Sequence, residues 1–399
     1  MTPYLVFVES NTSGTGYEFI RYASQKGYRP VLISDNASRY DLSGISVDII
    51  NADTASTASV LDVCHKLSEK APVTGIMSTS EYYVSTAAEV AEALFLPGPS
   101  ASAVRACRDK SKQRKAMLEC GLACPRHAVI TGSNELGQIH LRFPVVVKPI
   151  NGSGSVDVRF CSEASMLEDA VNTYFDGGQR NERNIDSGGV LLIEEYIEGP
   201  EYSAEVFGRR ILGFTAKHLG PLPYFVETGH DFAIEFPEKM RDMAHNAILS
   251  LCDHMGLDFG AKHVEFRIHD GDIYIIEVNP RLAGGHIPTV MEYAFGEKKL
   301  IGQIIDVYTG VRPDIDPVSI ICPVSIRFII PPRDGTFLKV AVRDGIDKSS
   351  ILETRMYKHQ GDLVKLHGDF RDRIGHIIFK TDRFPADVKA EDIIELTIE

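Results

Sequence analysis

The sequence contains no apolar run that approaches the roughly 18 residues needed to cross a membrane. The first residues, Met1–Glu9, carry no basic region of the kind that opens a secretory signal, and they predict a first β-strand instead. These two features argue against a membrane protein and against a simple secreted one. We therefore expect a cytoplasmic protein with no membrane partner.

Cysteine and positive charge are both scarce. The seven cysteines are scattered without a CxxC pair, which favours a reduced interior over a disulfide or zinc framework. The 42 Lys and Arg against 55 Asp and Glu give a net charge of −13, which argues against general nucleic-acid binding. A local basic site for a phosphate ligand is compatible with this charge. Charged residues make up 24% of the chain, an ordinary share for a folded protein.

The length of 399 residues predicts two or three domains. Over residues 1–98 strands alternate with helices, which predicts parallel βαβ units and an N-terminal doubly wound α/β domain. The polar stretch 177–184 has no periodicity and predicts an exposed loop. Beyond the first domain we predict a helical linker, two further α/β regions and a strand-rich end, at 99–125, 126–200, 201–310 and 311–399.

Oxygen side chains cluster in the segment His263–Arg281, whose pattern predicts a β-hairpin. Glu277 and Asn279 are two residues apart on one strand and therefore project to the same face. A two-residue Asp-Gly turn would place Glu265 opposite Ile276, on the wrong face, whereas an odd loop or a bulge places it opposite Glu277. Two carboxylates and a carboxamide suit Mg²⁺. An ordinary exposed hairpin with alternating charges is the alternative.

Small residues follow a buried-looking strand at Lys148. The loop Asn151–Ser155 would expose backbone N–H groups to phosphate oxygens, and the lysine would add a point charge. A flexible surface turn is the alternative. A second loop, Ser13–Gly16, invites a dinucleotide interpretation, but it lacks the third glycine and an obvious acid after the second strand. These absences argue against a Rossmann cofactor site.

A third element is the strand that ends at Glu194–Ile197 and then turns at Gly199-Pro200. Such a strand leaves the core and can present its backbone N–H and C=O groups to a planar base. Glu201, just beyond the turn, can reach ribose hydroxyls. A solvated acidic turn is the alternative.

Taken in their order along the chain, these elements resemble the ATP-grasp superfamily. The resemblance covers about residues 1–296. It implies an α/β, ATP-grasp fold with an N-terminal Rossmann-like (pre-ATP-grasp) domain, a lid subdomain with a glycine-rich loop, a catalytic core and a C-terminal α+β subdomain. It also implies ATP and Mg²⁺ as cofactors, with two metal ions and Mn²⁺ able to substitute. The residues that match the family's ATP-binding positions are Lys110, Lys148, Gly152, Ser153, Gly154, Ser155, Glu194, Glu195, Tyr196, Ile197 and Glu201. The residues that match its metal ligands are Glu265, Glu277 and Asn279.

Within that superfamily, several short segments are similar to the L-amino-acid ligases, which join a carboxylate to the amine of an amino acid. These segments are Ser78–Val84 with Leu96–Gly98, Pro223–His230, and Asn279–Gly285. The resemblance implies that Glu227 lies by a metal or the incoming amine and that His230 lines the acceptor pocket. It also implies that Arg281 grips the transferring phosphate, and that Tyr224 and Phe225 line side-chain pockets.

The reaction implied is ATP-dependent amide formation through an acylphosphate, with release of ADP and phosphate. The implied partners are small-molecule carboxylates and amines, amino acids among them, and a second copy of the chain in a homodimer. Either Asp231 or His230 could be the base that takes the amine proton, and the sequence does not decide between them. An ATP-grasp carboxylase, a phosphoribosylamine–glycine ligase and a catalytically silent nucleotide-binding module are the alternatives.

Overall fold

The computed structural model describes residues 1–12, 15–177, 185, 188–296, 300–313 and 319–399. Ser13 and Gly14 of the predicted dinucleotide loop and residues 178–184 of the predicted exposed loop lie outside these ranges. Within the described part of the chain, no helix has the length and apolar character required to span a membrane.

The N-terminal region is a parallel sheet with helices on both faces, as the alternating pattern predicts. Its strands, in the order β3-β2-β1-β4, are β1 (Tyr4–Val8), β2 (Arg29–Ser34), β3 (Asp48–Asn51) and β4 (Val73–Met77). Its helices are α1 (Gly16–Gln25), α2 (Thr57–Ser68) and α3 (Val84–Ala93). All of β1 is buried, because α1 covers one face of the sheet and α2 and α3 cover the other.

Two short helices follow, α4 (Ala101–Cys107) and α5 (Lys110–Glu119). The side chain of Asp109 accepts hydrogen bonds from the backbone N–H groups of Ser111 and Lys112, so it caps the start of α5. This cap fixes Lys110 at the first position of the helix.

An antiparallel sheet comes next, with the strand order β5-β8-β6-β7 and α6 (Ala164–Asp176) packed on it. The strands are β5 (His127–Ile130), β6 (Val145–Pro149), β7 (Arg159–Cys161) and β8 (Leu191–Glu195). The glycine-rich loop connects β6 to β7, and Lys148 lies near the end of β6.

The remaining chain builds the largest sheet, in the order β13-β12-β9-β10-β11-β14-β18-β16. Its first strands are β9 (Glu201–Phe207), β10 (Arg210–Leu219), β11 (Glu227–Phe232), β12 (Ala261–His269) and β13 (Asp272–Asn279). The later strands are β14 (Val324–Ile329), β15 (Gly335–Val342), β16 (Ile351–Met356), β17 (Leu363–Val364), β18 (Gly375–Lys380) and β19 (Ile394–Ile398). The helices are α7 (Glu238–His254), α8 (Ile287–Phe295), α9 (Leu300–Tyr308) and α10 (Ala390–Ile393). Strands β14, β16 and β18 thus extend the sheet of the preceding region, while β15, β17 and β19 form a small sheet of their own.

One apolar core joins the N-terminal region to this large sheet. Phe7 and Ile20 of the N-terminal region lie in the same buried cluster as Ile305 of α9 and Ile326 of β14. Burial of this shared surface holds the N-terminal region in place against the large sheet.

Candidate active site

A cavity of about 740 Å³ lies between the N-terminal sheet, the β5–β8 sheet and the largest sheet. Every residue predicted for the site lines it except Tyr224, Asp231 and Asn279. The structure therefore brings together segments that are more than 150 residues apart in the sequence.

The register of the β12–β13 hairpin decides which oxygens meet. Glu265 pairs directly with Glu277, and His263 pairs with Asn279. The register shifts between Glu265 and Phe266, where Ile276 is the extra residue of a bulge. The prediction that a bulge places the two carboxylates opposite each other is confirmed.

The carboxylate of Glu265 lies among cations. Oε1 of Glu265 is 2.9 Å from Lys217 Nζ and 3.1 Å from His263 Nε2. Burial would raise the pKa of Glu265, but Lys217 and His263 lower it well below its usual range. His263 also lies 2.9 Å from Glu205, and the two glutamates outweigh burial and raise its pKa to about 10.

The donor set fits Mg²⁺ that brings its own phosphate and water ligands. No group of three His, Cys, Asp or Glu side chains forms a closed metal cage within the described residues. Glu265 and Glu277 supply two hard oxygen donors, and an ion of this type is commonly bound by one or two carboxylates together with substrate phosphates. The hydrogen-bond partners of Asn279 orient its side-chain amide with the nitrogen 3.2 Å from both carboxylate oxygens of Glu81. In this orientation the amide oxygen faces hydrogen-bond donors.

The two lysines predicted to bind phosphate have different hydrogen-bond and ion-pair partners. Lys110 Nζ donates to Gly152 O at 2.8 Å and lies 3.0 Å from Glu277 Oε1, so it connects the loop to the hairpin. Lys148 is buried in an ion pair with Glu194, which also accepts from Arg114 Nε at 2.8 Å. Burial opposes charge on Glu194, but Arg114 and Lys148 lower its pKa to about 2. Glu194 therefore orients Lys148.

The glycine-rich loop closes against the C-terminal part of the chain. Gly154 has φ +66°, and a Cβ at this position would lie 2.7 Å from the ring of Phe370. Only glycine gives the backbone this conformation together with this close approach at no steric cost. The loop thereby covers one side of the cavity.

The predicted base-binding segment is partly occupied by its own hydrogen bonds. The N–H groups of Glu195 and Tyr196 donate to Arg126 O and Pro144 O, both at 2.9 Å. Of the backbone donors of Glu195, Tyr196 and Ile197, this leaves the N–H of Ile197 to face a base. Arg267 donates to Ile197 O at 2.8 Å, and its guanidinium lies 4.9 Å from the centre of the Tyr196 ring.

Glu201, the predicted ribose acid, is held between two cations. Its Oε2 accepts from Arg267 Nη2, and its Oε1 lies near Lys217 Nζ, both at 2.9 Å. Lys217 is also 2.9 Å from Glu227 Oε1. One buried ammonium therefore joins the predicted ribose acid, metal ligand and acceptor acid, and the three carboxylates outweigh burial and raise the pKa of Lys217 well above its ordinary value.

The two residues predicted to lie by the amine acceptor, Glu227 and His230, are both on β11. Glu227 accepts from Arg373 Nη2 at 2.6 Å, and that guanidinium lies 4.0 Å from the centre of the Phe328 ring. His230 is 1% exposed, and neither ring nitrogen has a hydrogen-bond partner among the described residues. Burial lowers the pKa of His230 to about 3, so the ring is neutral at physiological pH.

Arg281 and Asp231 have different surroundings. Arg281 lines the cavity and forms an ion pair with Glu81, which also binds Arg108 at 2.5 Å. Asp231 is 2.7 Å from Arg327 Nη1 and 2.6 Å from His218 Nε2, and it does not line the cavity. Of the two bases left open by the sequence, only His230 faces the site.

Residues 141–290 match the family description "ATP-grasp domain". They form an ATP-grasp domain. Over its whole length the chain is similar to the L-amino acid ligase from Bacillus licheniformis, with a TM-score of 0.84, 20% identity and coverage of 99% of that structure. The chain therefore has the ATP-grasp fold.

Curated proteins with similarity in sequence include the following two. The uncharacterized protein y4rH of Sinorhizobium fredii is 27% identical over 406 residues, which cover all of this chain and 82% of that protein. Carnosine synthase 1 of Gallus gallus is 26% identical over 229 residues, which cover 53% of this chain and 25% of that protein. The chain thus spans most of the first relative but only a quarter of the second.

Several residues around the ATP-grasp site escaped the sequence analysis. Lys217, Arg114, Arg267 and Arg373 all bind predicted site carboxylates. Lys217 carried one usable signal, since it is a charged residue within the apolar part of a predicted strand. Arg373 carried none, because it follows a short loop whose position depends on the packing of the C-terminal strands.

Proposed function

We propose that this protein is an ATP-dependent carboxylate–amine ligase that forms an amide bond through an acylphosphate and releases ADP and phosphate. One substrate is an amino acid in this proposal. The observation that carries it is the set of residues that line the 740 Å³ cavity. Its phosphate end holds Lys110, Lys148 and the facing pair Glu265 and Glu277, and the adjoining acceptor end holds Glu227 and His230, with Lys217 2.9 Å from both Glu265 and Glu227.

The phosphate end suits phosphoryl transfer to a carboxylate. Lys110 and Lys148 are positioned to hold nucleotide phosphates, while Arg281 is placed to stabilise the charge on the transferring group. Mg²⁺ held by Glu265, Glu277 and Asn279 would neutralise phosphate charge in the same region. The glycine-rich loop against Phe370 would exclude water, whose attack on the acylphosphate is the competing reaction.

The acceptor end suits a substrate that carries an amine. Glu227 is ionised, because Lys217 and Arg373 lower its pKa well below the ordinary value against the effect of burial. An ionised carboxylate can pair with a substrate ammonium. His230 supplies neutral ring nitrogens nearby, its Nε2 being 3.6 Å from Glu227 Oε2. The likeness to an L-amino acid ligase over the whole chain supports this substrate class.

The test is phosphate release from ATP and Mg²⁺ with a panel of single and paired amino acids, followed by mass spectrometry. We expect release only with certain pairs, together with ADP and a new amide mass. Bicarbonate dependence would identify a carboxylase instead, and a requirement for phosphoribosylamine would identify the glycine ligase. AMP and pyrophosphate as products would overturn the acylphosphate route. Nucleotide binding without turnover would favour the silent module.

A further inference from the structure

A chain of hydrogen bonds runs from the cavity wall into the C-terminal strands. His286 lines the cavity at the start of α8, and its Nε2 is 2.8 Å from the hydroxyl of Tyr357. That hydroxyl is 2.5 Å from Nδ1 of His376, whose Nε2 is 3.1 Å from Glu353 Oε1. The other oxygen of Glu353 accepts from Tyr293 at 3.1 Å.

The carboxylate at the inner end sets the direction of every hydrogen bond in this chain. The hydrogen bond from His376 lowers the pKa of Glu353 to about 2, so Glu353 is ionised and only accepts. Nε2 of His376 must therefore donate, and in the neutral ring Nδ1 must accept. The Tyr357 hydroxyl then donates to His376 and accepts from Nε2 of His286.

This order leaves Nδ1 of His286 with a lone pair. Nδ1 has no hydrogen-bond partner among the described residues, and the ring lies at the cavity. His286 has φ +59°, a left-handed conformation that a residue of this kind adopts at a cost. A strained, cavity-facing imidazole that is linked through hydrogen bonds to a partly buried carboxylate resembles the arrangement of a general base and the groups that orient it.

The ring of His286 is near the proposed acceptor end. Its neighbour Gly285 is so close to the other imidazole that a Cβ there would lie 2.6 Å from His230 Nε2. The two histidines differ in the hydrogen-bond partners of their rings. Among the described residues, His230 has no hydrogen bond through which a proton could leave. His286 is bonded to the chain of Tyr357, His376 and Glu353, while burial, followed by the nearby His376, lowers the pKa of its ring to about 3, as burial also does for His230.

We propose that His286 is the catalytic base that takes the proton of the attacking amine, with Tyr357, His376 and Glu353 as the positioning residues that carry the charge away. This inference rests on the proposed ligase function.

The nitrogen lone pair forms the new C–N bond, and the C–O bond to phosphate breaks with its electron pair leaving on phosphate. The nitrogen loses its extra proton to Nδ1 of His286. The Nε2 proton of His286 passes to the Tyr357 oxygen, and the Tyr357 proton passes to His376 Nδ1. The charge then rests beside Glu353.

The decisive experiment compares two nucleophiles on the same acylphosphate. Hydroxylamine has a far more acidic conjugate acid than an amino acid, so its adduct can lose a proton to water unaided. With a substrate pair from the panel, we expect His286→Gln to lower amide formation at least about 100-fold, while hydroxamate formation with hydroxylamine stays near the wild-type rate. Tyr357→Phe should behave in the same way. His269→Gln, on the β12–β13 hairpin away from the cavity, is the control and should change neither rate.

Other outcomes separate the two proposals. Equal loss of amide and hydroxamate in His286→Gln would mean a structural role and would overturn the inference, as would full amide formation. If the wild-type enzyme formed no ADP that depends on a carboxylate substrate, the ligase function itself would fall.

A second readout needs no substrate. Nitrogen-15 NMR of histidine-labelled protein, assigned with His286→Gln, should show His286 protonated at Nε2 and bare at Nδ1. In Glu353→Gln the carboxamide can donate as well as accept, so we expect mixed tautomers at His376 and His286. A His286 ring protonated at Nδ1 in the wild-type protein would overturn the inference.

Discussion

Lys110 Nζ lies 3.0 Å from Glu277 Oε1, so the first residue of α5 meets the end of strand β13 at the phosphate end of the cavity. The lysine also donates to the glycine-rich loop at Gly152. One side chain therefore links the three segments that surround the expected position of the nucleotide phosphates. We therefore expect substitutions in any of these segments to change the rate of nucleotide turnover before other properties.

Replacement of Glu277 by Gln should abolish turnover and leave the fold intact. The amide keeps the size of the side chain but removes the charge that would hold Mg²⁺ and pair with Lys110. We expect kcat to fall at least about 100-fold, measured as ADP formation at saturating ATP. Asp272→Asn, at the exposed start of β13, is the matched control and should retain wild-type activity. Full activity of Glu277→Gln would contradict the assignment.

Replacement of Lys217 by Met should impair both stability and nucleotide binding. It leaves three glutamates without their shared cation, and loss of one partner of a buried ion pair typically costs about 3–5 kcal/mol. Denaturant unfolding and calorimetric titration with Mg-ADP measure the two effects. Lys262→Met removes another buried lysine, one that donates to the backbone oxygens of Gly208 and Leu257. This control should lose stability but keep its affinity for ADP; equal affinity in both variants would refute the role of Lys217.

Gly285→Ala should displace His230. The new Cβ would lie 2.6 Å from Nε2, and the φ of +58° adds roughly 1–2 kcal/mol of backbone strain. We expect reduced amide formation and a smaller effect in a His230→Ala background, where the clash is absent. In the control Gly284→Ala, nothing lies within 4 Å of the added methyl group. An unchanged penalty in the His230→Ala background would show that strain alone is responsible.

Glu194 should contribute to stability only above acidic pH. Its pKa is lowered from 4.5 to about 2 in the folded protein, so the unfolded chain binds the proton more readily. The stabilisation is therefore complete above about pH 4.5 and is lost as the pH falls toward 2. Unfolding free energies of wild-type protein and Glu194→Gln, measured from pH 7 down to pH 3, should converge as the pH falls. Glu195→Gln, on the more exposed neighbour, should show no such convergence.

The strands and helices were largely predictable because their periodicity is local. The alternation over residues 1–98 and the pairing of Glu265 with Glu277 both follow from rules that act over a few residues. The domain limits at 98, 125, 200 and 310 stay predictions. The ion pairs that hold the site carboxylates could not be predicted from local patterns in this way. Arg114 reaches Glu194 across 80 positions, and Arg373 reaches Glu227 across 146. Such contacts depend on how whole sheets pack, which no short pattern encodes.

The ion pair between Glu81 and Arg281 bears on how a gene for this protein can be divided. Glu81 follows β4 of the N-terminal sheet, while Arg281 belongs to the matched domain of residues 141–290. A fragment cut to the domain limits would keep Arg281 but lose Glu81, Lys110 and Arg373, which also line the cavity. Any duplication, fusion or transplant that preserves the whole site must therefore carry the chain from the first strand to β18 as one block, which makes this protein poorly divisible into interchangeable modules.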